Sequence, residues 1–181
     1  MMWRDDEDRS MWDQYSWLSY VKVNQMFAER VVAEHKPGDI IWVHDYHLLL
    51  VPLLVRRMVP DAHIGLFVHS SFPSSELFRC LPQRNHILEG MLGADLICFQ
   101  NQSYARHFLS CCVRICGLEV QGRCVELSNG RVTKVSHNII GIDVERVRYE
   151  ATAPGIELRM HQLRNLYKDK RIIVGLSLIH I

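Results

Sequence analysis

The sequence predicts an open α/β fold, with parallel strands in a sheet and helices packed against it. Two observations predict it. First, two short β-branched or aromatic runs, Asp39-Ile-Ile-Trp-Val43 and Ile64-Gly-Leu-Phe-Val68, each end in a cluster of polar residues followed by a helix-compatible segment. Second, a third such run, Asp95-Leu-Ile-Cys-Phe99, follows after another helical stretch. Apolar runs this short, separated by amphipathic segments, are the pattern of buried parallel strands joined by crossover helices. In folds of this kind, ligands bind in the crevice at the carboxyl ends of the strands.

Before the first strand, residues 1–9 are charged and read as frayed. A helix is expected from Ser10 or Asp13 to about Glu34, because Trp12, Tyr15, Trp17, Tyr20, Val23, Phe27 and Val31 recur mostly three or four apart. Most of this aromatic stripe is expected in the core. Pro37-Gly38 then punctuates the start of the strand at 39–43, read as buried on both faces. It runs straight into His44-Asp-Tyr-His47, and a helix is expected over Leu48 to Met58. Two imidazoles, a carboxylate and a phenol in one turn are more than a polar loop requires, so this turn is the leading candidate for chemistry.

The strand at 64–68 ends in His69-Ser-Ser-Phe-Pro-Ser-Ser-Glu76. If the two strands are parallel neighbours, as right-handed crossovers favour, Asp45 and His69 open onto one crevice. Short helices are expected from Ser74 to about Cys80 and from Pro82 through Leu92. Ser103 to Cys116 reads as a helix stopped by Gly117, with Tyr104, Phe108, Cys111, Cys112 and Ile115 on its apolar face. Residues 122–136 break the rhythm and read as a hairpin around Ser128-Asn-Gly130. An apolar segment at 139–143 closes a first domain over 1–147. Residues 148–181 read as a linker, a helix from Ile156 to about Tyr167 and a strand at Arg171-Ile-Ile-Val-Gly175, the start of a second domain. A strand placed so near the end has nothing to pair with, so the chain reads as cut short.

The formal net charge is +1 with histidine neutral, which excludes the basic field expected of a nucleic-acid binder. No apolar run approaches the roughly 20 residues of a membrane span, and no secretory signal is present. The six cysteines include no C-x-x-C pair. They read as reduced, mostly buried thiols, with Cys98, Cys111 and Cys112 facing apolar neighbours, and the cytoplasm is the expected compartment. The two histidines of the 44–47 turn make a poor closed zinc site, and His107, inside a helix, is read as structural.

Several strings carry a resemblance. They are Trp17-Leu-Ser-Tyr-Val-Lys-Val-Asn24, Trp42-Val-His-Asp-Tyr-His-Leu48, Gly65-Leu-Phe-Val-His69 with Phe72-Pro-Ser-Ser-Glu76, Gly93-Ala-Asp-Leu-Ile97, Tyr104-Ala-Arg-His-Phe-Leu109 and Gly141-Ile-Asp143. Together they make the chain resemble the trehalose-6-phosphate synthases, retaining glycosyltransferases of the GT-B architecture with two Rossmann-like domains. The resemblance covers roughly residues 12–145, most of the N-terminal domain. It implies transfer of glucose from UDP-glucose to glucose 6-phosphate, giving trehalose 6-phosphate and UDP. It places Trp17 and Asp45 in the acceptor pocket and His69 against the transferred glucose, with His69 and Asp45 as the catalytic pair. It implies no metal and no cofactor beyond the UDP-glucose donor, with small-molecule substrates, no nucleic acid, no membrane, and either a homo-oligomer or a trehalose synthase complex as the assembly. The chemistry is consistent: carboxylates accept from paired sugar hydroxyls, and aromatic faces cover sugar C–H patches.

The chain departs from the family pattern at three places. Ser71 stands where catalytic members have the first proline of His-x-Pro-Phe-Pro, and Ile139 stands where the family has proline before Ile-Gly-Ile-Asp. The family's Arg-Leu-Asp-Tyr-x-Lys-Gly segment is expected after residue 175, where the chain has Leu176-Ser-Leu-Ile-His-Ile181. The family's N-terminal glycine-rich donor loop is also not in the sequence. Ser71 and Ile139 keep a second reading open, a non-catalytic regulatory subunit of a trehalose synthase/phosphatase complex.

Overall fold

The computed structural model describes residues 6–174, with side chains from residue 14 onward. Six strands form one sheet in the order β1-β2-β3-β6-β5-β4. They are β1 (Ile40–His44), β2 (His63–Val68), β3 (Leu96–Phe99), β4 (Glu119–Gln121), β5 (Cys124–Glu126) and β6 (Val132–His137). β1, β2, β3 and β6 are mutually parallel, whereas β4 and β5 pair antiparallel. The expected parallel α/β sheet is therefore present. The hairpin around Ser128-Asn-Gly130 forms between β5 and β6, with Gly130 at φ 81°. β4 lies outside the expected strands; three residues are too few to show a period.

The helices are α1 (Asp6–Glu34), α2 (Val51–Met58), α3 (Ser75–Phe78), α4 (Arg84–Met91), α5 (Gln102–Arg114), α6 (Val144–Ala151) and α7 (Pro154–Leu166). α1 is already helical at Asp6, within the stretch expected to fray. Its aromatic stripe is not the buried seam. Tyr15, Val23 and Phe27 are exposed, while Asn24 and Ala28 are fully buried. The seam is polar because Asn24 closes three hydrogen bonds there: Nδ2 donates to the Tyr20 and His47 carbonyls at 2.9 and 3.0 Å, and Oδ1 accepts from the Leu50 amide at 3.1 Å. A buried amide with all its bonds made does not cost its desolvation.

One face of the sheet holds the core. Ile41 and Val43, Ile64, Leu66 and Val68, Ile97 and Phe99, and Val135 point to it, together with Val51, Val55, Leu88, Met91, Phe108, Cys111 and Cys112 of the helices. Phe72, Phe78, Phe99 and Phe108 interlock, with Phe72 edge-on to Phe99 and Phe108 at 5.4 and 5.6 Å between ring centres. The end of α4 and the residues after it pack against the start of α2 at two glycines: a Cβ at Gly93 would lie 2.2 Å from the Leu53 amide nitrogen, and one at Gly90 2.6 Å from the Leu49 carbonyl oxygen. Below them Asp95 takes Arg56 at 2.8 Å and the Ile64 amide at 2.8 Å, which ties α2, β2 and β3 together.

The expectation of a first strand buried on both faces is corrected. β1 alternates, with Ile40, Trp42 and His44 exposed. It is an edge strand, and among the described residues nothing covers its second face.

The chain divides into two compact units, Met1–Ile140 and Gly141–Ile181. In the second, the segment read as a polar linker contains α6, whose N-cap Asp143 accepts from the Arg146 amide at 3.0 Å. α7 occupies the expected helix. Residues 171–174 are not a strand, because a strand requires a neighbour to satisfy its amides. Residues 175–181, including the 176–181 tail, lie outside the described residues.

Candidate active site

The carboxyl ends of β1 and β2 lie side by side. The strands run parallel in the register Val43↔Leu66 and His44↔Phe67, so the turn after each emerges on the same side. Asp45 follows β1 at φ 62° and ψ −177°. That region is almost reserved for glycine and costs on the order of 1–3 kcal/mol. Asp45 is held there from both ends. Its amide donates to the Phe67 carbonyl at 2.8 Å. Its Oδ1 accepts from the His69 and Ser70 amides at 3.1 and 3.0 Å and from the Ser70 hydroxyl at 2.9 Å. Strain maintained by this many bonds points to a functional position. Burial alone would raise the Asp45 carboxyl, but the Ser70 amide and hydroxyl and the Tyr46 and His69 amides outweigh it and hold the group below its ordinary value.

His69 is exposed at the end of β2, and its Nε2 lies 3.0 Å from Nδ1 of His44. At that distance one ring nitrogen donates to the other, the direction set by the tautomers, and the contact orients both rings. His44 and His69 line a pocket of about 500 Å³ with Trp42, Phe67, Cys98 and Asn138. The structure thus brings Asp45 and His69 together, but in different attitudes: His69 faces the pocket, while Asp45 braces the 69–70 turn and leaves Oδ2 with a single 3.2 Å contact from Ser70. Trp17 is not joined to either. It stacks on Tyr20 at 5.6 Å and touches His86 at 6.1 Å. Tyr20 carries the connection onward, donating its hydroxyl to the Tyr46 carbonyl at 2.8 Å and accepting from the Leu49 amide at 3.0 Å. Burial raises the Tyr20 hydroxyl, and the Leu49 amide and the Asn24 side chain offset this only in part.

Two features escaped the sequence reading. His44 was grouped with the turn, and only the strand register makes it the ring that meets His69. His137, at the end of β6, buries its Nδ1 with no partner. Alternation within the strand gave no sign of it. Ser71, one of the departures, bonds Tyr104 through the two hydroxyls at 2.8 Å, so a side-chain bond stands where proline would stiffen the loop. His107 contacts the Phe72 carbonyl at 3.0 Å through Nδ1, a loop-bracing role. Cys111 and Cys112 are buried and their thiols pushed up by burial, Cys111 to about 11. Cys98 is half-buried on the open sheet face and Cys80 is exposed, so only part of the thiol set sits in the core. Among the described residues no three His, Cys, Asp or Glu side chains converge to hold a metal, and no helix is long and apolar enough to cross a membrane.

Parallel strands joined by helices, with the carboxylate after one strand bonded to the turn after the next, define the class: an α/β domain with a Rossmann-like sheet. The chain belongs to glycosyltransferase family 20, whose model matches residues 1–179. It is 43% identical over 163 residues to an α,α-trehalose-phosphate synthase (UDP-forming) of Dictyostelium discoideum, covering 88% of this chain and 21% of that protein. It is 41% identical to a trehalose synthase complex regulatory subunit of Saccharomyces cerevisiae, covering 94% of this chain and 16% of that one. Among solved structures, the N-terminal domain of Candida albicans trehalose-6-phosphate phosphatase superposes with a TM-score of 0.80 at 46% identity, covering 90% of this chain and 35% of that one. The chain thus spans 21% and 16% of the length of these two curated relatives, and its relatives include synthases, phosphatases and regulatory subunits.

Proposed function

We propose that the protein of which this chain is part is an α,α-trehalose-phosphate synthase (UDP-forming), transferring glucose from UDP-glucose to glucose 6-phosphate. The observation that carries this reading is the pairing of Asp45 and His69 across adjacent parallel strand ends in a family 20 domain. In it, Asp45 Oδ2 accepts from acceptor hydroxyls while Oδ1 holds the turn that presents His69. His69 sits by the transferred glucose and lends a hydrogen bond as charge develops there. Trp17 supplies an aromatic face on the acceptor side. No metal takes part, the substrates are the two small molecules, and the compartment is the cytoplasm.

The test is steady-state kinetics on the full-length protein. Asp45→Asn replaces a charge-assisted bond with a neutral one, and kcat/KM is expected to fall about ten- to a hundredfold. Unchanged kinetics would remove Asp45 from the site. The 181 residues alone, a fifth of the length of the Dictyostelium relative, are expected to release no UDP.

A second reading is a regulatory or phosphatase-linked subunit that keeps the fold without transfer. What favours it is the Ser71–Tyr104 bond in place of a rigid proline, together with the names of the similar proteins. Full-length protein that binds glucose 6-phosphate yet releases no UDP from UDP-glucose would decide for it.

A further inference from the structure

A second concave site lies apart from the imidazole pocket and shares no lining residue with it. Arg79, Arg84, Asn85, Arg114 and Ile115 enclose about 270 Å³. Three helices contribute: Arg79 is the C-cap of α3, Arg84 and Asn85 open α4, and Arg114 closes α5. The charges are not balanced internally. Among the described residues Glu76 is the one carboxylate that pairs with this group, accepting from Arg114 Nη1 at 2.8 Å and from Arg79 Nη1 at 3.5 Å. Arg84 meets no carboxylate among the described residues, and its Nη1 donates to the Leu81 carbonyl at 3.2 Å. Three cations against one anion leave an excess of positive charge in one depression, which attracts an anion.

The start of α4 adds a separate contribution. Gln83 at the N-cap makes no side-chain capping bond, and no acidic residue lies in the first turn. The positive end of the helix therefore goes unanswered where Arg84 and Asn85 line the depression. Next to it, a larger pocket of about 440 Å³ shares Asn85 and Ile115 and adds the polar side chains of Glu89, Ser128, Asn129 and Arg57.

We propose that this trough binds a small phosphomonoester, its phosphate among Arg79, Arg84 and Arg114 and its hydroxylated body in the larger pocket. Planar guanidiniums match phosphate oxygens two at a time, and the helix start supplies amides to the same group. Hydroxyls of the body meet acceptors and donors on Glu89, Asn129 and Ser128. The site is independent of the transferase reading, since neither Asp45 nor His69 takes part.

The test is an amide and arginine-Nε nitrogen-15 titration of the 181-residue chain with glycerol 3-phosphate and with inorganic phosphate, at constant ionic strength. Saturable shifts are expected at Asn85, His86, Arg84 and Arg114, with Kd of about 1 mM or tighter. Glycerol 3-phosphate is expected to bind more tightly than inorganic phosphate, with shifts extending to Glu89 and Asn129. Arg84→Gln combined with Arg114→Gln should weaken binding at least about tenfold. If that variant does not fold, Arg84→Lys with Arg114→Lys keeps the charge but removes the forks, and should bind at least about threefold more weakly. Non-saturating shifts, shifts centred on His69 and Ser70 in place of Asn85, equal affinity in the folded variants, or no advantage of glycerol 3-phosphate would each overturn the proposal.

Discussion

The two faces of the sheet are made from the same strands and have opposite fates. On one, Ile97, Phe99 and Val125 are fully buried beneath helices. On the other, Ile40 and Trp42 are 79% and 67% exposed, one residue away along the strand. Purely parallel sheets are usually covered on both sides, and here the covered side carries the stability while the open side carries the imidazoles. The Asp45 turn sits where the two meet, its carboxylate bracing one strand end against the next. A fold can therefore keep polar rings accessible by concentrating its packing on the opposite face.

Mutations on the two sides should separate sharply. Phe108→Ala removes a fully buried ring of the phenylalanine cluster, and a loss of about 3–5 kcal/mol is expected in urea unfolding. A loss under about 1 kcal/mol would mean the covered face does not hold the fold. Gly93→Ala drives a methyl into the backbone of α2, and its cost should reach the upper end of overpacking, about 3 kcal/mol, read as a fall in the unfolding midpoint.

At the boundary between faces, Asp45 should show itself through pH. Its folded carboxyl titrates below the ordinary 3.8. Its contribution to stability is then complete above that value and fades as pH falls through the lower folded one. Stability measured from pH 5 down to 2 should decline less in Asp45→Asn than in the parent; parallel curves would mean the loop bonds do not favour the charged form. The smallest effect is expected on the open face. Trp42→Ser should change stability by no more than about 0.5 kcal/mol, and a larger loss in urea unfolding would show that this face is packed rather than open.

Much of this was legible beforehand. The runs at 39–43, 64–68 and 95–99 identified three of the four parallel strands, because β-branched residues bounded by Pro, Gly and polar clusters have few other uses. The SNG turn located the hairpin for the same local reason. Adjacency of Asp45 and His69 followed from crossover handedness. α1 was misread in detail: its rings suggested a buried stripe, and hydrogen bonding by Asn24 decided otherwise. α6 went unread because polar residues on an exposed helix show little periodic contrast.

The sequence by itself determined the α/β class and the placing of Asp45 and His69 at neighbouring strand ends, since these depend on local pattern and handedness. Tertiary structure decided which sheet face is bare, that His44 meets His69, that Asp45 adopts a strained backbone and that Arg79, Arg84 and Arg114 gather in one depression. Each of these joins residues distant in sequence, or sets one local cost against bonds supplied from another strand, and no window along the chain contains both partners.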